Sequence, residues 1–288
     1  MIKMVVDSAA DIPNSELEEL DIHMLPFPIH IDGKEIIADK NLDHFEFYDM
    51  VESCTDVPKT SQMSPQEIED TFRSFGKEDS VIYVTLSGKA SGTNNTANMI
   101  ANQLNEEGFD ITVIDSTMFS YTIGRAVVEA AKMAKEGKSK EEITAYIKEV
   151  YERDTAYFMV DDLTFLKKSG RIKATSMVIS KALDIKPILN VNDGMVEAFR
   201  KVRGTKKALT ALVDYIDERM DSPQENEIVV LNSRCDDKLE FVKGLIDERI
   251  KPKSVKSLSI GPIITSHVGV GVIGVYFKHK KKYTEYEN

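Results

Sequence analysis

Short apolar runs alternate with amphipathic stretches through the first half of the chain. The runs MVVDS, SVIYVTL and DITVIDS have the length and composition of strands that are buried on both faces. The stretches between them have helical spacing, and two of them begin with a capping box, at Ser64 and at Ser139. Because strands that alternate with helices form parallel sheets with crossover helices, this half predicts a doubly wound α/β domain over residues 1–154.

Turn residues and helix-starting residues refine this prediction. Asp32-Gly33 supplies the positive φ angles of a tight hairpin turn, and it follows the irregular strand HMLPFPIHI. Helices are predicted after Pro13, over 44–54, after Ser64, over 93–104, over 123–135 and from Ser139 to 153.

The pattern of apolar and polar residues changes from about Thr155 onwards. Two apolar runs joined by Asp193-Gly194 predict a β-hairpin, and the stretch that follows places Ala208, Leu212 and Ile216 on one helix face. Further strands, a helix near residues 239–250 and the final strand VGVGVIGVYF complete the pattern. A hairpin combined with helices predicts an α+β domain over residues 155–288, which gives a two-domain α/β protein.

Composition and charge exclude several classes of protein. A chain of 288 residues is long enough for about two domains, and 42% hydrophobic residues are enough for a sizeable core. The formal net charge of −11 opposes binding to nucleic acid and to anionic membranes. No apolar run is long enough to span a bilayer, and the first residues are too soon acidic for a signal peptide, so we expect a cytoplasmic protein without stable membrane insertion.

Two glycine-rich segments resemble catalytic motifs. The segment 269–274 fits G-x-G-x-x-G, but it continues as a strand, whereas the dinucleotide fingerprint requires a helix after it. The segment SGKASGT fits neither a phosphate-binding Walker loop nor the G-x-S-x-G nucleophile motif. A loop of small residues that enters a helix exposes N–H groups and favours an anion; the alternative is that Ser91 or Thr93 only caps the helix.

The remaining candidate groups do not form a catalytic or metal-binding pattern. Acidic residues follow three of the apolar strands, at Asp7, Asp115 and Asp161, where capping and turn formation are the favoured roles. The five histidines have no metal-ligand spacing, and Cys54 and Cys235 lie far apart, as expected of free thiols in a reducing compartment. We therefore predict no metal site, no cofactor and no catalytic residue.

Several segments taken together resemble the DegV family, and they occur in family order along nearly the whole chain. They are VDSAADIP (6–13), PKTSQ (58–62) with Ser64-Pro65, ASGT (90–93), VIDS (113–116), LKKSGRI (166–172), IKPI (185–188), KVRG (201–204) and HVG (267–269).

The resemblance implies a DegV-like two-domain fold that buries a long-chain fatty acid. Members of the FakB kind hold the acid while a separate fatty acid kinase phosphorylates its carboxylate, and the product feeds phospholipid synthesis. The carboxylate-binding side chains would be Thr60, Ser91 and His267. Supporting or rim positions would be Ser61, Gly92, Thr93 and Arg171.

These residue types suit the burial of a fatty acid. Burial of the tail is worth about 0.8 kcal/mol per CH₂, whereas a buried carboxylate without partners costs several kcal/mol and therefore needs converging donors. The alternatives are a simple turn at Thr60-Ser61, a packed His267 and a helix-end charge pair at Arg171. Two other functions stay open: an enzyme with its own phosphotransfer or acyl-hydrolase activity, and a regulatory lipid sensor.

Overall fold

The computed structural model describes residues 1–176 and 184–286, so part of the predicted second domain, 155–288, lies outside the described residues. The strands are β1 (Ile2–Asp7), β2 (Ile22–Leu25), β3 (Phe27–Ile31), β4 (Lys34–Ala38), β5 (Lys59–Thr60), β6 (Ser80–Thr85), β7 (Asp110–Asp115), β8 (Tyr157–Met159), β9 (Ile185–Asn192), β10 (Met195–Arg203), β11 (Glu227–Asn232), β12 (Ser254–Ser259) and β13 (Ile273–Phe277). The helices are α1 (Asn14–Glu19), α2 (His44–Ser53), α3 (Pro65–Ser74), α4 (Thr93–Glu106), α5 (Tyr121–Lys135), α6 (Lys140–Arg153), α7 (Thr164–Ser169), α8 (Thr205–Arg219), α9 (Asp236–Arg249) and α10 (Pro262–Val268).

The first half contains a parallel sheet in the order β2-β1-β6-β7. Residues 4–7 of β1 and 81–85 of β6 are buried at consecutive positions, so both faces of these central strands are covered. Helix α5 packs on β1, and α4 packs on β7. The α/β architecture predicted from the alternating pattern is confirmed.

A small antiparallel sheet lies beside the parallel one, in the order β4-β3-β5. Asp32 and Gly33 form the predicted turn between β3 and β4, with φ angles of 47° and 77°. The short strand β5 was not predicted. It pairs with β3 through Ile29 and Thr60, which fixes the position of Thr60.

The second half is organised around a mixed sheet in the order β10-β9-β8-β13-β11-β12. The predicted hairpin at Asp193-Gly194 joins β9 to β10. One face of this sheet packs against helices α8 and α9 and forms its own apolar cluster, which includes Tyr157, Ile273 and Val275. The other face belongs to the larger apolar cluster, which contains residues of both halves of the chain.

Two predictions near the end of the chain need correction. The last strand is Ile273–Phe277 and not the whole of 268–277, because Gly269 and Gly271 adopt φ angles of 80° and 84° and form a loop. Helix α10 precedes this loop and was not predicted. Both predicted capping boxes are present, at Ser64 and at Ser139.

The division between residues 154 and 155 falls between α6 and β8. The larger apolar cluster crosses this point, since it includes Val6 of the first half and Leu231 of the second. The existence of two separate domains therefore stays a prediction.

Candidate functional site

Three distant parts of the chain surround one polar chamber. They are the end of β5, the loop between β6 and α4, and the C-terminal part of α10. The cavity has a volume of about 190 Å³. Its polar lining residues are Thr60, Ser61, Gln62, Ser91, Gly92, Arg171 and His267; its apolar lining residues are Phe27, Leu86, Ala90, Phe119, Ile263 and Ile264. Six of the seven site residues predicted from the sequence thus line one chamber, and the seventh, Thr93, adjoins it.

Thr60 and His267 are in direct contact across the chamber. Thr60 Oγ1 lies 3.0 Å from His267 Nε2. The start of α10, which carries His267, is held by two hydrogen bonds: Gly261 N donates to Asp11 at 3.0 Å, and the Tyr48 hydroxyl donates to Ile260 O at 2.5 Å. The histidine is therefore placed by contacts that are far from it in sequence.

The electrostatic state of His267 follows from its surroundings. Burial and, second, the positive charge of Arg171 lower the pKa of His267 to about 4, so the imidazole is neutral near pH 7. Its Nδ1 atom is buried and has no hydrogen-bond partner among the described residues.

Ser91 has two roles at the entrance to α4. Its Oγ accepts a hydrogen bond from Thr93 N at 3.2 Å and donates one to Thr93 Oγ1 at 3.1 Å. The N-cap of α4 is Gly92, which has no side-chain capping bond, so Ser91 forms a local turn before the helix and does not cap it. The same hydroxyl also lines the chamber. A Cβ atom on Gly92 would lie 2.3 Å from Oε1 of the exposed Gln62 side chain, which would have to move.

Arg171 brings an unpaired positive charge to the chamber. Its Nε donates to Ala90 O at 3.2 Å, and its Nη1 donates to Ser169 O. No carboxylate of the described residues forms an ion pair with it, so the helix-end charge pair considered from the sequence is wrong. Burial lowers the pKa of the guanidinium, which shows that its charge is poorly solvated.

Ser61 contacts a histidine on the outer side of the chamber. Ser61 Oγ lies 2.9 Å from His30 Nε2, and His30 Nδ1 lies 3.6 Å from Glu35 Oε2. The order of groups resembles a catalytic triad. However, the side chains of His30 and Glu35 are 43% and 59% exposed, and water at this exposure weakens both contacts.

An apolar channel continues from the chamber between the mixed sheet and α10. It shares Phe119, Arg171, Ile264 and His267 with the chamber, and its volume is about 70 Å³. Its remaining lining residues are Ser120, Ala156, Phe158, Leu166, Val191, Val196, Leu231, Ile260, Val268, Val272 and Gly274. A polar end and an apolar end therefore meet at Arg171 and His267.

The channel includes residues that sequence reasoning missed. Ile260, Ile264 and Val268 recur every four positions, which is the spacing of one helix face, and Pro262 is a frequent first residue of a helix. These signals agree with α10, but a helix of seven residues is too short for periodicity alone to separate it from a strand. No local signal marks Phe119, which reaches the junction of chamber and channel from the segment before α5.

On its outer side the chamber leads to an open cleft. The cleft contains Thr60, Arg171 and His267 together with the surface residues Lys59 and Lys168. Lys168 pairs with Asp56 at 2.8 Å. A group bound at the junction is thus accessible from solvent through this cleft.

The described ranges of the chain lack a metal-binding cluster and a membrane-spanning helix. Residues 1–176 and 184–286 contain no group of three His, Cys, Asp or Glu side chains that could hold a metal ion. Within these ranges, no helix combines the length and hydropathy that are needed to cross a membrane. Cys54 and Cys235 are both free thiols.

Fold and site together define an α/β protein with a polar chamber that opens into a buried apolar channel. The chain belongs to the DegV family: the family model described as "Uncharacterised protein, DegV family" matches residues 1–280. A DegV domain-containing protein of Clostridium perfringens is 35% identical over 285 residues, which cover 96% of this chain and 98% of the relative.

Two further relatives carry descriptions of a ligand. A protein of Thermotoga maritima named "Fatty acid-binding protein" is 30% identical over 288 residues, with 95% of this chain and 96% of the relative covered. A structure described as fatty acid binding of a DegV family protein from Thermus thermophilus has a TM-score of 0.87 at 27% identity and covers 96% of this chain and 99% of its own.

Proposed function

We propose that this chain binds one long-chain fatty acid and presents its carboxylate to a separate fatty acid kinase, whose product enters phospholipid synthesis. The carboxylate lies in the polar chamber and the tail enters the apolar channel. The lining side chains of the channel must move apart to admit a long chain, because its volume of about 70 Å³ holds only a few methylene groups. The observation that carries the proposal is the junction of these two cavities at Arg171 and His267. The descriptions of the Thermotoga and Thermus relatives support the same ligand class.

The channel supplies the affinity for the tail. Most of its lining side chains are aliphatic or aromatic, so an alkyl chain in the channel loses contact with water. A long chain gains on the order of 10 kcal/mol from burial before the entropic cost of binding is subtracted.

The chamber solvates the head group. With His267 neutral and Nε2 protonated, the ring donates to Thr60 Oγ1 and leaves the Thr60 hydroxyl free to donate to the carboxylate. The Ser91 hydroxyl can rotate from Thr93 towards the same acceptor. Arg171, which has no acidic partner among the described residues, complements the negative charge.

Presentation to a kinase requires that the bound carboxylate can be reached. The open cleft at Lys59 and Lys168 leads to the junction, and Lys59 would favour a phosphoryl group there, whereas Lys168 is paired with Asp56 of the same cleft. None of the chamber's described lining residues is an Asp or Glu, and the lowered pKa of its one histidine, about 4, makes the imidazole a weak base. A set of donors with only a weak base favours catalysis by a partner. We propose the cytoplasm as the location.

The alternative is an enzyme with its own phosphotransfer or acyl-hydrolase activity, with Ser61 and His30 as its reacting pair. The exposure of His30 and Glu35 weighs against it, because an exposed triad loses much of its electrostatic effect to water. A regulatory lipid sensor would use the same cavity and would differ only in its partner.

The test begins with lipid extracted from the purified protein. Mass spectrometry is expected to find fatty acid at a ratio near one to one. The double variant T60V/S91A is then compared with S53A/T210V, which removes two hydroxyl groups from exposed helical positions. With a fatty acid kinase and ATP, the first variant is expected to lose phosphorylation of the lipid and the second to keep it.

Three results would contradict the proposal. Normal phosphorylation of the lipid bound to T60V/S91A would show that Thr60 and Ser91 do not form the head-group site. Release of phosphate or free acid by the chain alone would favour the enzyme. Protein capture that depends on lipid, without phosphorylation by any kinase, would favour the sensor.

A further inference from the structure

The floor of the apolar channel is a row of three residues on neighbouring strands. Gly274 of β13 pairs with Phe158 of β8 on one side and with Leu231 of β11 on the other. Residues directly opposite one another in a sheet point to the same face. All three line the channel, and none of them lines the polar chamber, so the row lies in the part occupied by the tail.

The neighbours of Gly274 along β13 point the other way. Ile273 and Val275 belong to the apolar cluster beneath helices α8 and α9, together with Tyr157 and Met159 of β8. Leu231 and Val272 belong to the cluster on the channel side. Gly274 thus faces the channel from the middle of a buried strand, and the side chains of Phe158 and Leu231 lie on either side of it.

The backbone at Gly274 does not require a glycine. It is not among the residues with positive φ, and glycine in a strand interior lowers stability because it has no side chain to pack. A Cβ atom added there would lie 3.9 Å from Leu231 Cβ and 3.3 Å from Phe158 Cβ, and the second contact is tight enough to require a shift of Phe158 by a few tenths of an ångström. The space next to Gly274, between these two residues, is part of the channel.

We propose that Gly274 determines how far the acyl chain reaches and therefore which chain lengths are bound. This inference rests on the proposed function, because it concerns the tail of the same ligand. A side chain at 274 would project between Phe158 and Leu231 and exclude the terminal methylene groups of a long chain. Shorter chains, which end before the row, would be unaffected.

The experiment uses delipidated protein and measures its affinity for a series of about six saturated fatty acids, with roughly 10 to 20 carbons. Each methylene that loses its place in the channel is worth about fourfold in affinity. G274V is therefore expected to lower the ratio of long-chain to short-chain affinity by about tenfold or more. Valine is well tolerated in strands, so the fold is expected to persist.

Two further variants complete the design. G244V is the matched control, since Gly244 lies on α9 with no atom near its missing Cβ, and its length profile should equal that of the wild type. G274V/F158A restores space beside the valine and should recover the long chains. F158A alone widens the same space and should extend the profile to longer chains, which tests the inference even if G274V fails to fold.

The outcomes separate the two proposals. A G274V profile parallel to that of the wild type, at equal or uniformly lower affinity, overturns the role of Gly274 while leaving the fatty-acid function intact. A folded wild-type protein that binds no chain length overturns the proposed function itself. The inference is supported if G274V loses the binding of long chains, G244V keeps it and G274V/F158A recovers it.

Discussion

Thr60 Oγ1 and His267 Nε2 lie 3.0 Å apart, although 207 positions separate the two residues in the chain. The first is placed by the pairing of β5 with β3, and the second by helix α10. Their contact joins the small antiparallel sheet to α10, the helix that lines one side of the apolar channel. A change at either residue is therefore expected to affect the head group more than the tail.

Replacing Thr60 by valine tests the hydroxyl at nearly constant shape. A hydrogen bond to a charged group is worth about 1.5–3 kcal/mol, so T60V should weaken fatty-acid binding by roughly tenfold to a hundredfold. T60S keeps the hydroxyl and should stay within about threefold of the wild type. Titration calorimetry with one fatty acid checks both values. Wild-type affinity in T60V together with a loss in T60S would show that the methyl group and not the hydroxyl matters.

Arg171 is expected to discriminate between head groups. Because the guanidinium has no acidic partner among the described residues, R171M should lower the affinity for a fatty acid by at least about tenfold. Binding of the fatty alcohol of the same length should change much less, since it carries no charge. R171K, which keeps the charge, is the matched variant. A similar loss for acid and alcohol would mean that Arg171 acts only by packing.

His267 makes the stability of the lipid-free protein depend on pH. Its pKa is lowered from 6.5 to about 4, so the unfolded chain binds a proton more readily than the folded one. The contribution to stability is complete above about pH 6.5, is lost as the pH falls towards 4, and reaches about 3 kcal/mol. Urea unfolding of the wild type and H267Q at several pH values should show this difference. Parallel curves would exclude the effect.

Asp11 is expected to act in the opposite direction. Burial raises the pKa of Asp11 from 3.8 to about 7, so the folded state holds a proton that the unfolded state releases above pH 4. Stability from this group therefore decreases as the pH rises from about 4 to 7. D11N keeps an acceptor for Gly261 N and should flatten that slope in thermal unfolding experiments. An unchanged dependence of stability on pH in D11N would show that other groups cause it.

Gly194 connects the hairpin tip of β9 and β10 to the loop that carries Ser91. The Ser87 hydroxyl donates to Gly194 O at 2.7 Å, and a Cβ atom on Gly194 would lie 2.6 Å from Ser87 Oγ. G194A is therefore expected to reduce stability and also fatty-acid affinity, because the loop must shift.

Gly33 is a matched control for this substitution. It occupies the same turn position at a φ of 77°, against 72° for Gly194, and no atom lies near its missing Cβ. G33A should cost about 1–2 kcal/mol from backbone strain alone, with binding unchanged. The additional loss in G194A should be partly recovered in G194A/S87A. Equal effects of G33A and G194A would mean that the contact with Ser87 contributes neither to stability nor to fatty-acid affinity.

The elements that could be predicted from the sequence are those with local causes. The capping boxes at Ser64 and Ser139 and the turns at Asp32-Gly33 and Asp193-Gly194 depend on a few adjacent residues, and all four are present. The last strand was predicted too long because Gly269 and Gly271 interrupt an otherwise apolar run. Helix α10 was missed because seven mostly apolar residues give too short a period to separate helix from strand.

The candidate site was predicted only through the joint resemblance of its segments to one family. Thr60, Ser91, His267 and Arg171 each had an ordinary structural explanation when taken singly. The structure places all four around one chamber. It also identifies Phe119, which stands in no recognisable motif, and Gly274, the last residue of the G-x-G-x-x-G segment, whose role in the channel that motif does not predict.

Most strands and helices, the local turns and the polar residues available for a head group could be read from the amino-acid sequence, with β5 and α10 as exceptions. Hydrogen bonds between near neighbours and the periodicity of apolar side chains are properties of short segments, and for that reason they are visible in a sequence. Folding brings His267 to Thr60, leaves Arg171 without an acidic partner among the described residues and places Gly274 between Phe158 and Leu231 in the channel. Each of these depends on how elements that are distant in the chain pack together, and packing is a property of the whole chain.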